Sequence, residues 1–208
     1  MSRNPFTRTL TILVVIALST LVQACDTSTS TSTSATVTSK PASRTMPPAA
    51  KATAVPGGIK GNLGVAPTPD GCQAKDNAAL EAEVIVLVNA ERAKQNPALP
   101  PLKGDPKLAA AARAHSADMA CNDHFDHTGT NGSSAGDRIA AMDYAFSTWG
   151  ENIAWGQTTA AEVMDSWMNS EGHRANILNP DFTQIGVSDM ALPDGAPLWT
   201  QVFATPQQ

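Results

Sequence analysis

One long stretch of this chain is too poor in large apolar side chains to fold by itself. Asp26 to Gly71 opens on alternating Ser and Thr and continues with repeated Pro and Gly. Such a composition cannot offset the entropy lost when a backbone becomes ordered. We therefore predict a flexible tether of about 45 residues with a root-mean-square reach of about 35–40 Å. The folded region is then confined to residues 72–208.

The residues before the tether predict export. Two arginines precede an apolar run of 13 residues, Leu10 to Val22, which is short for a hydrocarbon core about 30 Å thick. This pattern is typical of a signal peptide, here residues 1–24. Its end, Val22-Gln-Ala-Cys25, resembles a bacterial lipobox, in which the cysteine becomes lipidated. The alternative is ordinary cleavage after Ala24, which leaves Cys25 as a free thiol. We expect a lipid anchor in a bacterial cell-envelope membrane, or a secreted protein if Cys25 is unmodified.

The cysteine count predicts one disulfide. The chain has three cysteines, and lipidation of Cys25 leaves Cys72 and Cys121 as a pair. Disulfides persist in the oxidising compartment to which an exported protein is delivered. A bridge between Cys72 and Cys121 closes a loop of about 50 residues, which stabilises the fold by roughly 4 kcal/mol in the chain-entropy model. A metal site is the alternative, but the two cysteines lack C-x-x-C spacing.

Charge argues against a nucleic-acid partner. The formal net charge is −5, and no run of Lys or Arg occurs. Nucleic-acid-binding proteins need a basic patch to neutralise phosphates. The hydrophobic fraction of 42% is ordinary for a globular protein, so the folded region has enough apolar residues for a core.

Four helices are predicted, followed by a pair of strands. The clearest helix start is Asp105 as N-cap with Pro106 in the first turn, and Thr159 with Glu162 forms a capping box. Thr183–Val187 and Pro197–Phe203 alternate in polarity as strands do, with turn residues between them. Trp149–Trp155 is a third strand candidate. The predicted helices begin near Leu80, Asp105, Ser134 and Thr159, and the fourth is expected to end near His173. Helices mixed with a short antiparallel sheet indicate an α+β layered domain.

Three polar residues stand out in the folded region. His127 follows the second helix, Glu151 interrupts an apolar strand candidate, and His173 lies at the expected end of the fourth helix. Two imidazoles and a carboxylate could bind a divalent metal with an open position. They could equally form a proton-transfer pair or a static polar network. Their spacing does not decide among these alternatives.

Seven segments in order resemble the bacterial branch of the CAP superfamily, whose domain is also called the SCP domain (cysteine-rich secretory proteins, antigen 5, pathogenesis-related 1). The resemblance covers about Leu80 to Phe203. The segments are Arg113–Ala120, Phe125–Gly129, Gly150–Gly156, Trp167–Ser170, Gly172–Leu178, Ile185–Val187 and Trp199–Phe203. It implies a three-layer α-β-α sandwich around a small central antiparallel sheet.

The resemblance also implies a cleft where two histidines and two acidic residues meet. The first histidine matches His127, the first acidic residue Glu151 and the second histidine His173. The second acidic position falls on Ser170, so Glu171, one residue later, is the candidate for the fourth cleft residue. A shift of one residue turns a helical side chain by about 100°, which leaves open whether Glu171 points into the cleft. A divalent metal, zinc or magnesium, would be held through His127 and His173.

Other candidates have simpler interpretations. His115 lies on the apolar stripe of its helix, so we expect a core histidine with a hydrogen-bonded ring. His124, which forms H-x-x-H with His127, is interpreted as incidental. Gly132–Gly136 matches G-x-S-x-G but lacks the preceding buried strand, so a helix N-cap at Ser133 or Ser134 is favoured. Core positions are expected for Trp155, Trp167 and Trp199, with the alternative that one of them lines the cleft.

The predicted function is an envelope or extracellular binding module for a lipid, another small apolar ligand or a partner. CAP relatives are associated with such binding, which needs an apolar groove. One alternative is a metal-dependent hydrolase with Glu151 as general base. The other is a structural envelope protein without catalysis. Catalysis is the less favoured interpretation, because the sequence offers no convincing nucleophile.

Overall fold

A five-stranded sheet forms the centre of the domain in a computed structural model, which describes residues 64–193 and 195–208. The predicted signal peptide, the lipidation site Cys25 and most of the tether lie outside these residues. The strands are β1 (Lys75–Asp76), β2 (Lys103–Gly104), β3 (Phe146–Trp155), β4 (Gln184–Ala191) and β5 (Leu198–Pro206). The helices are α1 (Ala78–Ala93), α2 (Pro106–Cys121), α3 (Ala135–Ala141), α4 (Ala160–Met168) and α5 (Glu171–Ile177).

The sheet is antiparallel except at one short edge strand. Its order is β1-β4-β5-β3, and β2 pairs with β4 in parallel. Strands β3 and β5 form the longest pairing, in which Glu151 lies opposite Val202. Within the described residues β3 pairs only with β5, so it is an edge strand. The side chains of Trp167 and Asn176 cover that edge by donating hydrogen bonds to the carbonyl oxygens of Ile153 at 3.2 Å and Glu151 at 3.1 Å.

The predicted helix starts are confirmed by their capping bonds. Asp105 accepts hydrogen bonds from the backbone N–H groups of Lys107 and Leu108. Ser134 caps α3 through a capping box, which places this serine outside any hydrolase-type elbow, and Thr159 caps α4 in the same way. Each cap satisfies donors that have no partner within their own helix.

The prediction of one fourth helix reaching His173 was wrong. Helix α4 ends at Met168, and α5 begins anew at Glu171. Asn169 ends α4, because its side chain donates hydrogen bonds back to the carbonyl and the carboxylate of Asp165. Asn and Ser favour such local bonds over helix continuation. His173 therefore lies inside a second short helix.

Helices cover both faces of the sheet, which confirms the layered α+β architecture. Helices α1, α4 and α5 pack on one face around the buried side chains of Trp167, Trp199 and Phe203. Helices α2 and α3 pack on the other face around Leu108 and Ile139. None of the helices in the described part of the chain is long and apolar enough to span a membrane.

The predicted disulfide is present. Cys72, which precedes β1, is bonded to Cys121 at the end of α2. The predicted turn after β4 includes Asp194, which lies outside the described residues, and the N–H of Gly195 donates to the carbonyl of Leu192 at 3.0 Å.

Candidate functional site

Glu151 lies on edge strand β3, and two neighbours occupy its two carboxylate oxygens. Oε1 accepts a hydrogen bond from His127 Nδ1 at 2.9 Å, and Oε2 accepts one from Arg138 Nη2 at 2.7 Å. Burial alone would raise the pKa of Glu151, but the charges of His115 and Arg138 and the bond from His127 outweigh it and lower that pKa to about 2. The buried carboxylate is therefore ionised at neutral pH and paired with a guanidinium.

The loop that carries His127 is held from several sides. Arg138 Nη2 donates a second hydrogen bond, of 3.0 Å, to the carbonyl of His127. The buried carboxylate of Asp118 accepts bonds from the N–H and hydroxyl of Thr130 at 2.8 and 2.6 Å. Because the ionised Glu151 can only accept, His127 carries its proton on Nδ1. In its neutral form, Nε2 then has a free lone pair and is bonded to no described residue.

His173 reaches the same region from the opposite face of the sheet. Its carbonyl accepts a hydrogen bond of 3.1 Å from Asn152 Nδ2 on β3. Neither nitrogen of its buried ring has a hydrogen-bond partner within the described part of the chain. Burial, with a smaller contribution from the charge of His127, lowers the pKa of His173 to about 4. This ring is thus neutral near pH 7.

His115 lies behind the carboxylate. The residue is buried as predicted, with Nε2 3.8 Å from Glu151 Oε1. Its expected hydrogen bond is not formed, because neither ring nitrogen has a partner within residues 64–193 and 195–208. Burial lowers the pKa of His115 to about 4, although the charge of Glu151 opposes this shift. His115 is therefore a neutral ring at neutral pH.

Two other sequence candidates lie outside this cluster. Glu171 is an exposed residue at the start of α5, and it makes no described contact with His127, Glu151 or His173. The ring of His124 donates a hydrogen bond of 2.7 Å to the carbonyl of Thr128, so it has a structural partner in the loop.

The donor set matches a metal ion poorly. Within the described ranges, no group of three or more His, Cys, Asp or Glu side chains is arranged to hold one. The ion pair with Arg138 engages Glu151, which leaves two imidazoles where catalytic zinc sites usually have three protein ligands. Magnesium prefers oxygen ligands. Metal binding by His127 and His173 remains a prediction.

Sequence reasoning missed two residues that build the site. Arg138 is buried on α3 beside Ile139, and Asn176 is buried on α5, where it bonds to Glu151 and Asn152. The signal for Arg138 was a charged residue four positions after the cap at Ser134, beside the apolar residue of a short amphipathic helix. Asn176 lies within the Gly172–Leu178 segment of the family resemblance, and that segment was the signal that could have marked it.

An exposed aromatic side chain adjoins the His127 loop. Trp155 is 41% exposed, so its predicted core position was wrong, whereas Trp167 and Trp199 are buried as predicted. The ring centroid of Phe125 lies 6.4 Å from that of Trp155. Trp155 ends β3 on the outermost position of the sheet, which explains why helices do not cover it.

Three layers, an edge strand and a pair of histidines beside it define an α-β-α domain with a polar site at one edge of its sheet. Residues 85–203 match the model of the Cysteine-rich secretory protein family, CAP, and the chain belongs to this family. It is 47% identical over 126 residues to the uncharacterized protein YkwD of Bacillus subtilis, a match that covers 61% of this chain and 47% of that protein. A 36% match over 107 residues to the membrane protein YlbC of the same species covers 51% and 30%. The chain thus spans less than half the length of these curated relatives.

Solved structures support the same assignment. An extracellular protein with an SCP domain from Bacillus anthracis aligns with a TM-score of 0.55 and 34% identity, covering 62% of this chain and 41% of that one. An outer surface protein of Borrelia burgdorferi aligns with a TM-score of 0.60 and 23% identity, covering 65% and 99%, which shows the shared fold. The Bacillus anthracis protein is an extracellular one, in keeping with the predicted export.

Proposed function

We propose that this chain is an exported binding protein of the cell envelope whose cleft holds a small amphipathic molecule. The observation that supports this proposal is that buried ring nitrogens of His127 and His173 have no hydrogen-bond partner among the described residues. Leaving buried polar atoms unpaired costs free energy. A ligand with a hydroxyl or carboxyl group would supply the missing hydrogen bonds, so the two rings form the polar end of the proposed site.

The apolar end of the proposed site lies further along β3. Glu151, Ile153 and Trp155 are alternate residues of β3, so their side chains lie on the same face of the strand. The four residue steps from Glu151 to Trp155 span about 13 Å. Ile153 is buried in a cluster with Phe125, and Trp155 is exposed at the end. A molecule with a polar head near His127 and an apolar body along this face would cover the exposed indole. Decanoate has a similar length and both kinds of group.

The alternative of a hydrolase with Glu151 as general base has weaker support. A general base works best with a pKa near the operating pH. The pKa of Glu151 is lowered to about 2, and both of its oxygens accept hydrogen bonds. These properties suit a residue that orients His127 rather than one that takes protons from a substrate. We therefore propose binding without hydrolysis.

Native mass spectrometry of the exported protein and calorimetric titration with decanoate test the proposal. We expect a co-purified small molecule or saturable decanoate binding. The His127→Gln and His173→Gln variants should each weaken this binding at least tenfold, because each removes a ring nitrogen from the position where the polar head would bind. Glu171→Gln is the matched control and should leave it unchanged. An apo mass in repeated preparations, together with equal decanoate titrations for all variants, would contradict the proposal.

A further inference from the structure

We infer that Arg138 sets the ligand class of the cleft: by pairing with Glu151 it removes the negative charge that would let His127 and His173 bind a divalent cation. The inference extends the proposed function, because it states which ligands this site disfavours and why. It concerns a residue that the sequence patterns of the site did not include.

The contacts of Arg138 support a dedicated pairing. Nη2 lies 2.7 Å from Glu151 Oε2 and also donates to the carbonyl of His127. Nη1 donates to the carbonyl of Ser133 at 2.8 Å. Arg138 and Glu151 side chains are each 2% exposed, so water screens this pair little. The guanidinium, the carboxylate and both the ring and main chain of His127 form one closed circuit of hydrogen bonds.

This circuit changes what His127 can do for a cation. In zinc proteins a carboxylate commonly accepts the second N–H of a ligating imidazole, and this raises the basicity of the ligand. Glu151 occupies that position on Nδ1 of His127, with Nε2 left for a ligand. Arg138, however, neutralises the carboxylate and brings a positive charge behind the same ring. The imidazole is thereby a weaker donor to a cation, while a neutral or anionic ligand suffers no such penalty.

Zinc titration of the full-length exported protein tests the inference. We expect the Arg138→Gln variant to bind Zn²⁺ at least tenfold more tightly than the wild type, the size that outer partners of metal ligands usually contribute. Arg138→Lys keeps the positive charge and should bind as weakly as the wild type. The gain should disappear in Arg138→Gln/Glu151→Gln and in Arg138→Gln/His173→Gln. A merely structural role for Arg138 predicts loss of fold or affinity, never a gain that depends on Glu151.

Equal zinc affinities for the wild type and a folded Arg138→Gln would overturn the inference. If that variant does not fold, a measurement on the wild-type protein alone tests the inference. The carboxyl carbon resonance of Glu151 should stay unchanged when Zn²⁺ is added at concentrations that saturate ordinary histidine sites, and a large shift would also overturn it. Decanoate plays no part in these measurements. A wild type that binds no decanoate but shows the zinc pattern would thus contradict the proposed function and leave the role of Arg138 intact.

Discussion

Arg92 Nη1 donates a hydrogen bond of 2.9 Å to the carbonyl oxygen of Ile177, 85 residues later in the chain. The same nitrogen donates to the carbonyl of Asn179 at 2.8 Å, and Nε donates to that of Pro100 at 2.9 Å. Arg92 is fully buried at the end of α1. One guanidinium therefore satisfies the main chain where α5 ends, which fixes the helix that carries His173.

Replacement of Arg92 by Lys should lower the free energy of unfolding by about 3 kcal/mol. A lysine keeps the charge but cannot reach several carbonyls in different directions, and each lost bond to a charged donor costs about 1.5–3 kcal/mol. Urea unfolding measures the change. Arg174→Lys, at an exposed residue with one bond to the carbonyl of Met168, is the control and should change the free energy by less than about 0.5 kcal/mol. Similar values for both variants would contradict this account.

Gly186 permits the close approach of α2 to β4. A Cβ at this position would lie 2.1 Å from the backbone nitrogen of Ala109. Since backbone cannot move aside cheaply, Gly186→Ala should destabilise the domain by about 3 kcal/mol or more. At Gly104 a Cβ would meet only Ile85 Cδ1, at 3.6 Å, so Gly104→Ala is the tolerated counterpart. Thermal unfolding of both variants checks the prediction, and a stable Gly186→Ala protein would refute it.

Stability should fall as the pH drops from 6.5 to 4. Burial lowers the pKa of both His115 and His173 to about 4 from 6.5. In this window the unfolded chain binds protons that the folded protein does not, so unfolding becomes easier by about 3 kcal/mol per histidine. Asp189 opposes them, because burial and the nearby charges of Glu81 and Asp76 raise its pKa to about 6. As the pH falls, Asp189 takes up its proton in the folded protein before it does so in the unfolded chain. This adds stability between about pH 6 and pH 3.8.

Urea titrations at successive pH values separate these contributions. His173→Gln should flatten the dependence between pH 6.5 and 4, and Asp189→Asn should steepen it. Below pH 4.5 a further loss is expected as Glu151 takes up a proton in the unfolded chain, because its folded pKa is about 2. A His173→Gln protein with the wild-type slope would show that this ring does not stay neutral in the folded state.

Asn176 ties α5 to the strand that carries Glu151. Its Nδ2 donates to the carbonyl of Glu151 at 3.1 Å and to Asn152 Oδ1 at 2.9 Å. Asn176→Ala should lower the free energy of unfolding by about 1–3 kcal/mol, because two buried acceptors lose their donor. Asn169→Ala removes an exposed amide and should cost less. Equal costs in chemical denaturation would argue against the buried role.

Reduction of the Cys72–Cys121 bridge should cost roughly 4 kcal/mol, since it frees a loop with a sequence separation of 49. Urea unfolding with and without dithiothreitol measures this cost. The Cys72→Ser/Cys121→Ser protein should match the reduced wild type and be insensitive to the reductant. Mass spectrometry should show a gain of two hydrogens on reduction. An exported protein in which both of these thiols are free would contradict the bridge.

Local signals predicted much of the fold correctly. The caps at Asp105, Ser134 and Thr159 depend on a few neighbouring residues, so their chemistry is visible in the sequence. The break at Asn169 was missed because the capping box at Thr159 shows where α4 begins but not where it ends. The exposure of Trp155 depends on β3 being an edge strand, which is a property of the assembled sheet.

The site was predictable only where residues carried a recognisable motif. His127, Glu151 and His173 occur in such motifs, and the structure brings them to one edge of the sheet. Arg138 contributes through its position in space, 13 residues before Glu151, and periodicity says nothing of such a pairing. Glu171 has the right chemistry but lies exposed on α5.

The covered edge of β3 also limits how this domain can associate with other chains. An open strand edge is a template on which another chain can add its own strand. Trp167 and Asn176 occupy two of the outward carbonyls of β3, so an incoming strand would have to displace a buried indole and a buried amide. This arrangement opposes polymerisation through the β3 edge of the sheet.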